Sequence, residues 1–263
     1  MDLGIYPLVS GSNALMQGLS VLANNLSNVN TAGYKEDRPQ FQTYLGQAAL
    51  SFIPQQTRGP LPVAQPASSF KPFSLLAYLD RTQTDFSPGS MKETQNPLDL
   101  AIEGEGFFTV GTPQGVRFTR QGSFYLNPQR VLVTGEGFPL LGKKGPLQIP
   151  PQEKVIIDPQ GKVQVGGKEI DTLRIADFPR PYPLEKVGGM LFAPSSSSVA
   201  EQAGGGFQIR QGVLELSNVD AVQGLVELIT LSRSFEIYQK AIDQLIGANG
   251  ISAKAAREVG AVA

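Results

Sequence analysis

The stretch "LVSGSNALMQGLSVLANNLSNVNTAGYK", Leu8–Lys35, decides how this chain is read. Leu8, Leu15, Leu22 and Val29 recur every seven residues, with Ser12, Leu19 and Leu26 interleaved four further on. That 4–3 alternation predicts an amphipathic helix with a coiled-coil-like seam. Gly11 and Gly18 each weaken such a helix by about 1 kcal/mol relative to alanine, but they permit a close backbone approach. Asn30-Thr31-Ala32-Gly33 ends it, with Gly33 the natural left-handed residue past the C-cap. The other face carries Ser12, Asn13, Gln17, Ser20, Asn24, Asn25, Ser27 and Asn28, and Asp2 is the only charged side chain before Lys35. Neutral amides and hydroxyls lose much less than charges on leaving water, and they can bond neighbouring chains. Isolated helices of this length are marginal. The pattern therefore reads as a helix made to be surrounded, by copies of itself or close relatives. An ordinary core helix of a single domain is the alternative.

The opposite end of the chain repeats the theme. Ala221, Leu225, Leu228, Ser232, Phe235, Gln239, Ile242 and Ile246 follow the same 4–3 spacing, a second seam that packs most economically on the first. Ser217, with Asp220 three residues on, is an imperfect capping box. Gly247 and "ANG" at 248–250 interrupt the pattern, and Ile251 to Val259 offers a short further helix.

Between the ends the period changes. Tyr34 to Asp80 is rich in Gln, Pro and Ser, loosest around "QQTRGPLPVAQPASSFKP", and reads as an extended arm or loop with a short strand or two. "PLDLAIEG" alternates Leu98, Leu100 and Ile102 with Asp99, Ala101 and Glu103, and "GEGFFTV" and "VRFTRQGSFYL" follow at hairpin spacing. "VIIDPQGKVQVGGKEIDTLRI" holds a D-P-Q-G turn and a two-residue Gly166-Gly167 turn between β-branched runs. An antiparallel sandwich or partly closed barrel is expected, with "GGMLFAPSSSSVAEQAGGG" as a surface loop. The expected fold is α+β, with N- and C-terminal helices pairing as a coiled-coil layer around a central, mainly antiparallel β domain. The expected division is a helical segment 1–33, an arm 34–84, a β domain 85–210 and a C-terminal helical segment 211–263.

Composition removes whole classes of function. With 22 Lys+Arg against 23 Asp+Glu there is no net field to attract nucleic acid. His and Cys are both absent, which removes the commonest general base, thiol nucleophiles and Cys/His metal sites. No run approaches the ~18–20 apolar residues of a membrane helix. No cationic start followed by an apolar block marks a signal peptide.

Three blocks together resemble a known family, the axial rod and hook proteins of the bacterial flagellum. "ANNLSNVNTAGYK" is similar to its N-terminal signature, an Asn-Leu-Ser/Ala-Asn core followed by Thr-x-Gly-Tyr/Phe-Lys. "PLDLAIEGEGFFTV" with "FTRQGSFYLNPQRVLVTGEGFPLLG" resembles its central β region. "LELSNVDAVQGLVELITLSRSFEIYQKAI" resembles its C-terminal helix, where Ser-Asn-Val starts the helix and Arg-x-(Phe/Tyr)-Glu follows. Arg130, where the family often has Gly, and Asn127-Pro128 depart from the pattern at a turn tip. Length and the ending "AAREVGAVA" look most like the proximal-rod branch, with distal rod or hook-type subunits as alternatives.

The resemblance implies export without a cleaved signal peptide through the flagellar type III apparatus, to a rod in the periplasm that transmits torque. Partners would be copies of the chain and other axial proteins, with no nucleic acid and no membrane insertion. The terminal helices would form the inner layer of a tube and stay disordered in the free subunit. The implied assembly residues are Leu8, Leu15, Leu19, Leu22, Asn25, Leu26, Asn28, Val29, Thr31, Gly33 and Tyr34 at one end. At the other they are Ser217, Asn218, Val219, Leu225, Leu228, Arg233, Phe235, Glu236 and Ile242. No catalytic residue, cofactor or metal ligand is expected. Glu103 with Glu105, or Asp158 with Lys162, read as solvated charges at turns, and "EGEGFF" lacks the third Gly and following helix of a dinucleotide loop. Arg117 and Arg120 are candidates for pairing across subunits, and the 50–75 arm for wedging between them. The rival class is a β-sandwich binding module or hydrolase with helical flanks.

Overall fold

A computed structural model describes residues 5–45, 75–151, 154–196, 202–203 and 205–260. The fold is α+β, and its described residues divide into two compact units. Residues up to Asn24, from Asp37 to Gln83 and from Val222 onward make one unit; Asn25–Glu36 and Thr84–Ala221 make the other.

The first unit holds most of two helices, α1 (Ile5–Ser27) and α2 (Ala221–Gly260), and a two-stranded sheet of β1 (Asp37–Leu45) and β2 (Leu75–Thr84). Of the Pro-rich 50–75 arm, residues 50–74 lie outside the described residues and Leu75 opens β2. Gln42 Nε2 donates to Asp80 Oδ2 at 3.0 Å, Arg81 Nε donates to Gln40 Oε1 at 3.2 Å, and Gln40 bonds Gln83 across this ribbon. Tyr238 lies over Gly11, Leu231 and Phe41 over Gly18, and Gln239 Nε2 donates to Ser12 Oγ at 2.9 Å. As the position rises on α1 it falls on α2, so the helices run antiparallel. No helix among the described residues is long and apolar enough to cross a membrane.

The helix limits differ from the sequence expectation in two ways. Helix α1 stops at Ser27, and Asn28 and Val29 already belong to a turn. Helix α2 begins at Ala221 and runs unbroken through Gly247 and Asn249-Gly250. Glycine in a helix interior costs only about 1 kcal/mol, which a long helix absorbs. Ser217 is not its N-cap, because its Oγ accepts from the Val219 N–H, still short of the helix.

The second unit is built on a six-stranded antiparallel sheet. Its order is β15 (Leu184–Lys186), β16 (Phe192–Pro194), β6 (Gly115–Thr119), β5 (Phe107–Thr112), β14 (Ile175–Asp177), β17 (Gln202–Ala203). Strand β16 corrects the reading of the Gly/Ser-rich stretch as a loop. Leu191 and Phe192 are buried there, and two apolar residues anchor a strand that its flanking glycines and serines disguise.

Strands β11 (Val155–Ile157), β12 (Lys162–Val165) and β13 (Lys168–Thr172) form a meander. Val165 pairs with Lys168 across Gly166-Gly167, both at positive φ as a type I′ turn requires. Asp158 Oδ1 caps the other turn by accepting from the Gln160 and Lys162 N–H groups. Four two-stranded ribbons complete the body. They pair β3 (Met91–Glu93) with β19 (Val213–Glu215), β4 (Leu100–Gly104) with β18 (Phe207–Gln211), β7 (Tyr125–Leu126) with β8 (Leu132–Val133), and β9 (Leu141–Gly142) with β10 (Gly145–Pro146).

Adjacent residues of β5 serve different cores. Phe108 joins Leu100, Val110, Phe124 and Leu140 in the larger cluster, while Phe107 joins Phe118, Phe178 and Phe192 in the smaller. A strand's side chains alternate between faces, so this sheet is covered on both. Phe138 packs at the edge of the larger cluster.

Candidate functional site

The N-terminal signature and the segment leading into α2 meet in one buried cluster within the second unit. Tyr34 is enclosed, and its hydroxyl donates to Asn25 Oδ1 at 2.8 Å. Thr31 Oγ1 donates to Asn28 Oδ1 at 3.1 Å, closing the turn after α1. The Gly33 N–H donates to the Glu215 carbonyl at 2.8 Å. Gly33 has φ +73°, but it lies six positions past Ser27 and is no helix cap. It is glycine because a β-carbon there would stand 2.4 Å from the Gln121 backbone nitrogen and 2.5 Å from the Arg120 carbonyl carbon.

At the centre sits a charged trio, of which Lys35 and Glu215 were not among the expected residues and Arg120 was expected only to pair across subunits. Lys35 and Glu215 are each 1% exposed and Arg120 is 6% exposed. Lys35 Nζ donates to Glu215 Oε1 and to the Ser87 carbonyl, both at 2.7 Å. Arg120 Nη1 donates to Glu215 Oε2 at 3.2 Å and to the Ile102 carbonyl, and Nη2 to the Gly104 carbonyl at 2.8 Å. The Gly89 N–H is a further donor to Glu215 Oε1. Lys35 Nζ, Arg120 Nη1 and Nη2, and both Glu215 carboxylate oxygens each have at least one partner, which favours holding these charges out of water. Burial pulls the Lys35 ammonium below its ordinary 10.5; the Glu215 carboxylate opposes that shift and Arg120 adds to it. Arg120 therefore serves its own chain and is not available for pairing across subunits.

The remaining bonds tie this centre to the approach to α2. Lys186 Nζ donates to the Lys35 carbonyl at 3.0 Å and lies 4.3 Å from the Tyr34 ring centroid. Asn218 Oδ1 accepts from the Glu36 N–H at 2.8 Å, while its Nδ2 donates to the Asp85 and Ser87 carbonyls. Leu26, Val29 and Val219 are half-buried nearby in sequence. Asn25, Asn28, Thr31, Gly33, Tyr34, Ser217 and Asn218 are thus used inside the subunit.

The other expected residues lie in the helical unit. Leu22 is buried, and Leu8, Leu15 and Leu19 are half-buried on one face of α1; Leu228, Phe235 and Ile242 are half-buried on α2. Leu225, Arg233 and Glu236 face outward. The residues of α2 on the glycines, Leu231 and Tyr238, sit one to three positions from the expected seam. Among the described side chains of α2 none is fully buried. Val222, Val226 and Ile237 are 74%, 59% and 65% exposed, and Ile229 and Ile246 are exposed as well. The outward row of α1, Asn13, Gln17, Ser20, Asn24 and Ser27, is uncharged.

Three family models match the regions just described. A flagella basal body rod protein model matches residues 5–35, a flagellar hook protein FlgE/F/G D1 domain model residues 101–165, and a flagellar basal body rod FlgEFG protein C-terminal model residues 210–245. Whole-chain relatives agree. The chain is 32% identical to the flagellar basal-body rod protein FlgG of Bacillus subtilis, covering 90% of this chain and 93% of the relative. It is 32% identical to FlgG of Borreliella burgdorferi, covering 92% and 96%, and 32% identical to the rod protein FlgF of Caulobacter vibrioides, covering 92% and 93%. Relatives of both kinds match equally, so identity gives the expected proximal branch no preference, and the β-sandwich hydrolase reading gives way. The chain belongs to the family of flagellar basal-body rod proteins.

Proposed function

We infer that the chain is a structural subunit of the flagellar basal-body rod, with no catalytic role, that assembles with copies of itself and other axial proteins. The terminal helices supply the assembling surface by pairing as a coiled coil and packing against neighbours in an inner layer. Leu8, Leu15, Leu19, Leu22, Leu228, Phe235 and Ile242 are its seam, and Leu225, Arg233 and Glu236 face the next subunit. The observation that carries this reading is the unfinished surface of α2, where Val222, Val226, Ile229 and Ile237 stand in water. Burying a side chain of that kind gains about 1.5–3 kcal/mol, enough for a few per subunit to drive polymerisation. Export through the type III apparatus to the periplasm is part of the same reading, and a chain without cysteine suits an oxidising compartment.

The test is a chain lacking residues 1–24, expressed in cells without the native subunit. The β body should accumulate as soluble monomer, while rods stay incomplete by electron microscopy of basal bodies and the cells do not swim. Normal rods built from that chain would refute the inner-layer role.

A further inference from the structure

We propose that Gln211 closes the open edge of β11, and that it thereby keeps two copies of the chain from pairing edge to edge through that strand.

Strand β11 is outermost in its sheet, with β12 on one side only. Backbone groups of successive strand residues point to opposite sides. The Val155 carbonyl and the Ile157 N–H are turned away from β12, and no strand among those described pairs with them. The Gln211 side chain meets them instead. Its Oε1 accepts from the Ile157 N–H at 3.1 Å, and its Nε2 donates to the Val155 carbonyl at 3.1 Å. Nε2 donates as well to the Pro97 carbonyl at 2.7 Å, which holds the amide in this orientation. One primary amide thus supplies both the acceptor and the donor that a neighbouring strand would bring. Strand β18 delivers it. The Ile209 N–H donates to the Pro159 carbonyl at 2.9 Å, and two residues further on the side chain takes over from the backbone.

The edge behind this amide is made for pairing. Val155, Ile156 and Ile157 are all β-branched, and an apolar edge of that kind templates the addition of another chain. Ile156 is 49% exposed. Pro97, Arg210, Gln211 and Gly212 help line a surface depression of about 440 Å³, so the closing residue itself borders solvent. A second copy of β11 is self-complementary with the first. Run antiparallel about Ile156, the two strands set Val155 of each opposite Ile157 of the other, and the groups that Gln211 holds become the exchanged pair. Ile156 then faces Ile156, with α-carbons about 4.5 Å apart. The bonds to Gln211 must break before any of this can form.

The proposal is independent of rod assembly. The experiment compares the full chain with its Gln211→Met variant, which fills similar space and makes neither bond, at concentrations where the unaltered chain is monomeric. In dilute solution the variant should exchange the Ile157 amide at least about tenfold faster, with the β5 amides unchanged. As its concentration rises it should dimerise by sedimentation, and the Ile157 amide should regain protection. Gln211→Ala should act likewise. Adding Ile156→Lys sets like charges directly opposite each other and should return either variant to monomer. Gln211 variants that stay monomeric over the whole range would overturn the proposal, as would dimers that Ile156→Lys leaves intact. Unfolding of both Gln211 variants would overturn it too, since the residue would then be a tie within the body and not a guard on its edge.

Discussion

Tyr238 stands so close over Gly11 that a β-carbon on the glycine would lie 2.4 Å from its Cε1, and Leu231 sits likewise over Gly18, at 3.0 Å from Cδ2. Both pairs are seven residues apart on their helices and run in opposite directions. Glycine every heptad on α1 is thus a socket for a large side chain every heptad on α2, which turns a local cost in helix propensity into helix–helix contact. Gly11→Leu fills one socket. It should abolish motility in a complementation assay while leaving the melting of the β body within the purified full chain unchanged, since that body takes no residue from this contact.

Substitutions on the outer face of α2 test assembly apart from folding. Val226 and Ile237 are mostly exposed, and surface substitutions away from special features change stability by less than about 0.5 kcal/mol. Val226→Asp with Ile237→Asp should therefore leave the urea midpoint of the monomer where it was. The same protein should fail to enter basal bodies, as judged by their subunit content.

Glu215 pairs with both Lys35 and Arg120. Glu215→Ala leaves two cations facing each other out of water and should destabilise the β body by about 3–5 kcal/mol in urea denaturation. Replacing all three, as Lys35→Met, Arg120→Met and Glu215→Leu, removes the uncompensated charge together with the pairing. That variant should recover most of the loss.

Lys35 also gives the β body an alkaline signature. Its folded-state pKa lies below 10.5, so at pH values between the two the unfolded chain binds more protons than the native one. Stability from this group therefore rises with pH through that window, because the penalty of burying the ammonium fades as the proton leaves. The urea midpoint of the unaltered chain, measured against Lys35→Met, should shift in favour of the unaltered chain as pH climbs toward 10.5. A difference independent of pH across the window would count against the buried ammonium.

Much of this architecture is written locally in the sequence. Heptad leucines announce α1, Gly166-Gly167 announces a hairpin, and "PLDLAIEG" announces β4. Local patterns fail where the deciding partner is distant. Lys35 and Glu215 are 180 positions apart, and nothing near either reports the other. A faint signal exists in the period-two reading of β19, where Val213 and Glu215 share the buried face, and after β6, where Arg120 follows Phe118 at the same interval. A charge on an inward position asks for a counter-charge, but the sequence does not say where it lies. Strand β16 was hidden for another reason, since two apolar residues within a glycine- and serine-rich run carry no measurable period.

The row Asn13, Gln17, Ser20, Asn24 and Ser27 has one more consequence. Contacts made by neutral amides and hydroxyls offer dissolved ions almost nothing to screen, whereas paired charges on the same face would loosen as the medium became more saline. In the proposed rod, contacts made through that side of α1 should change little with added salt.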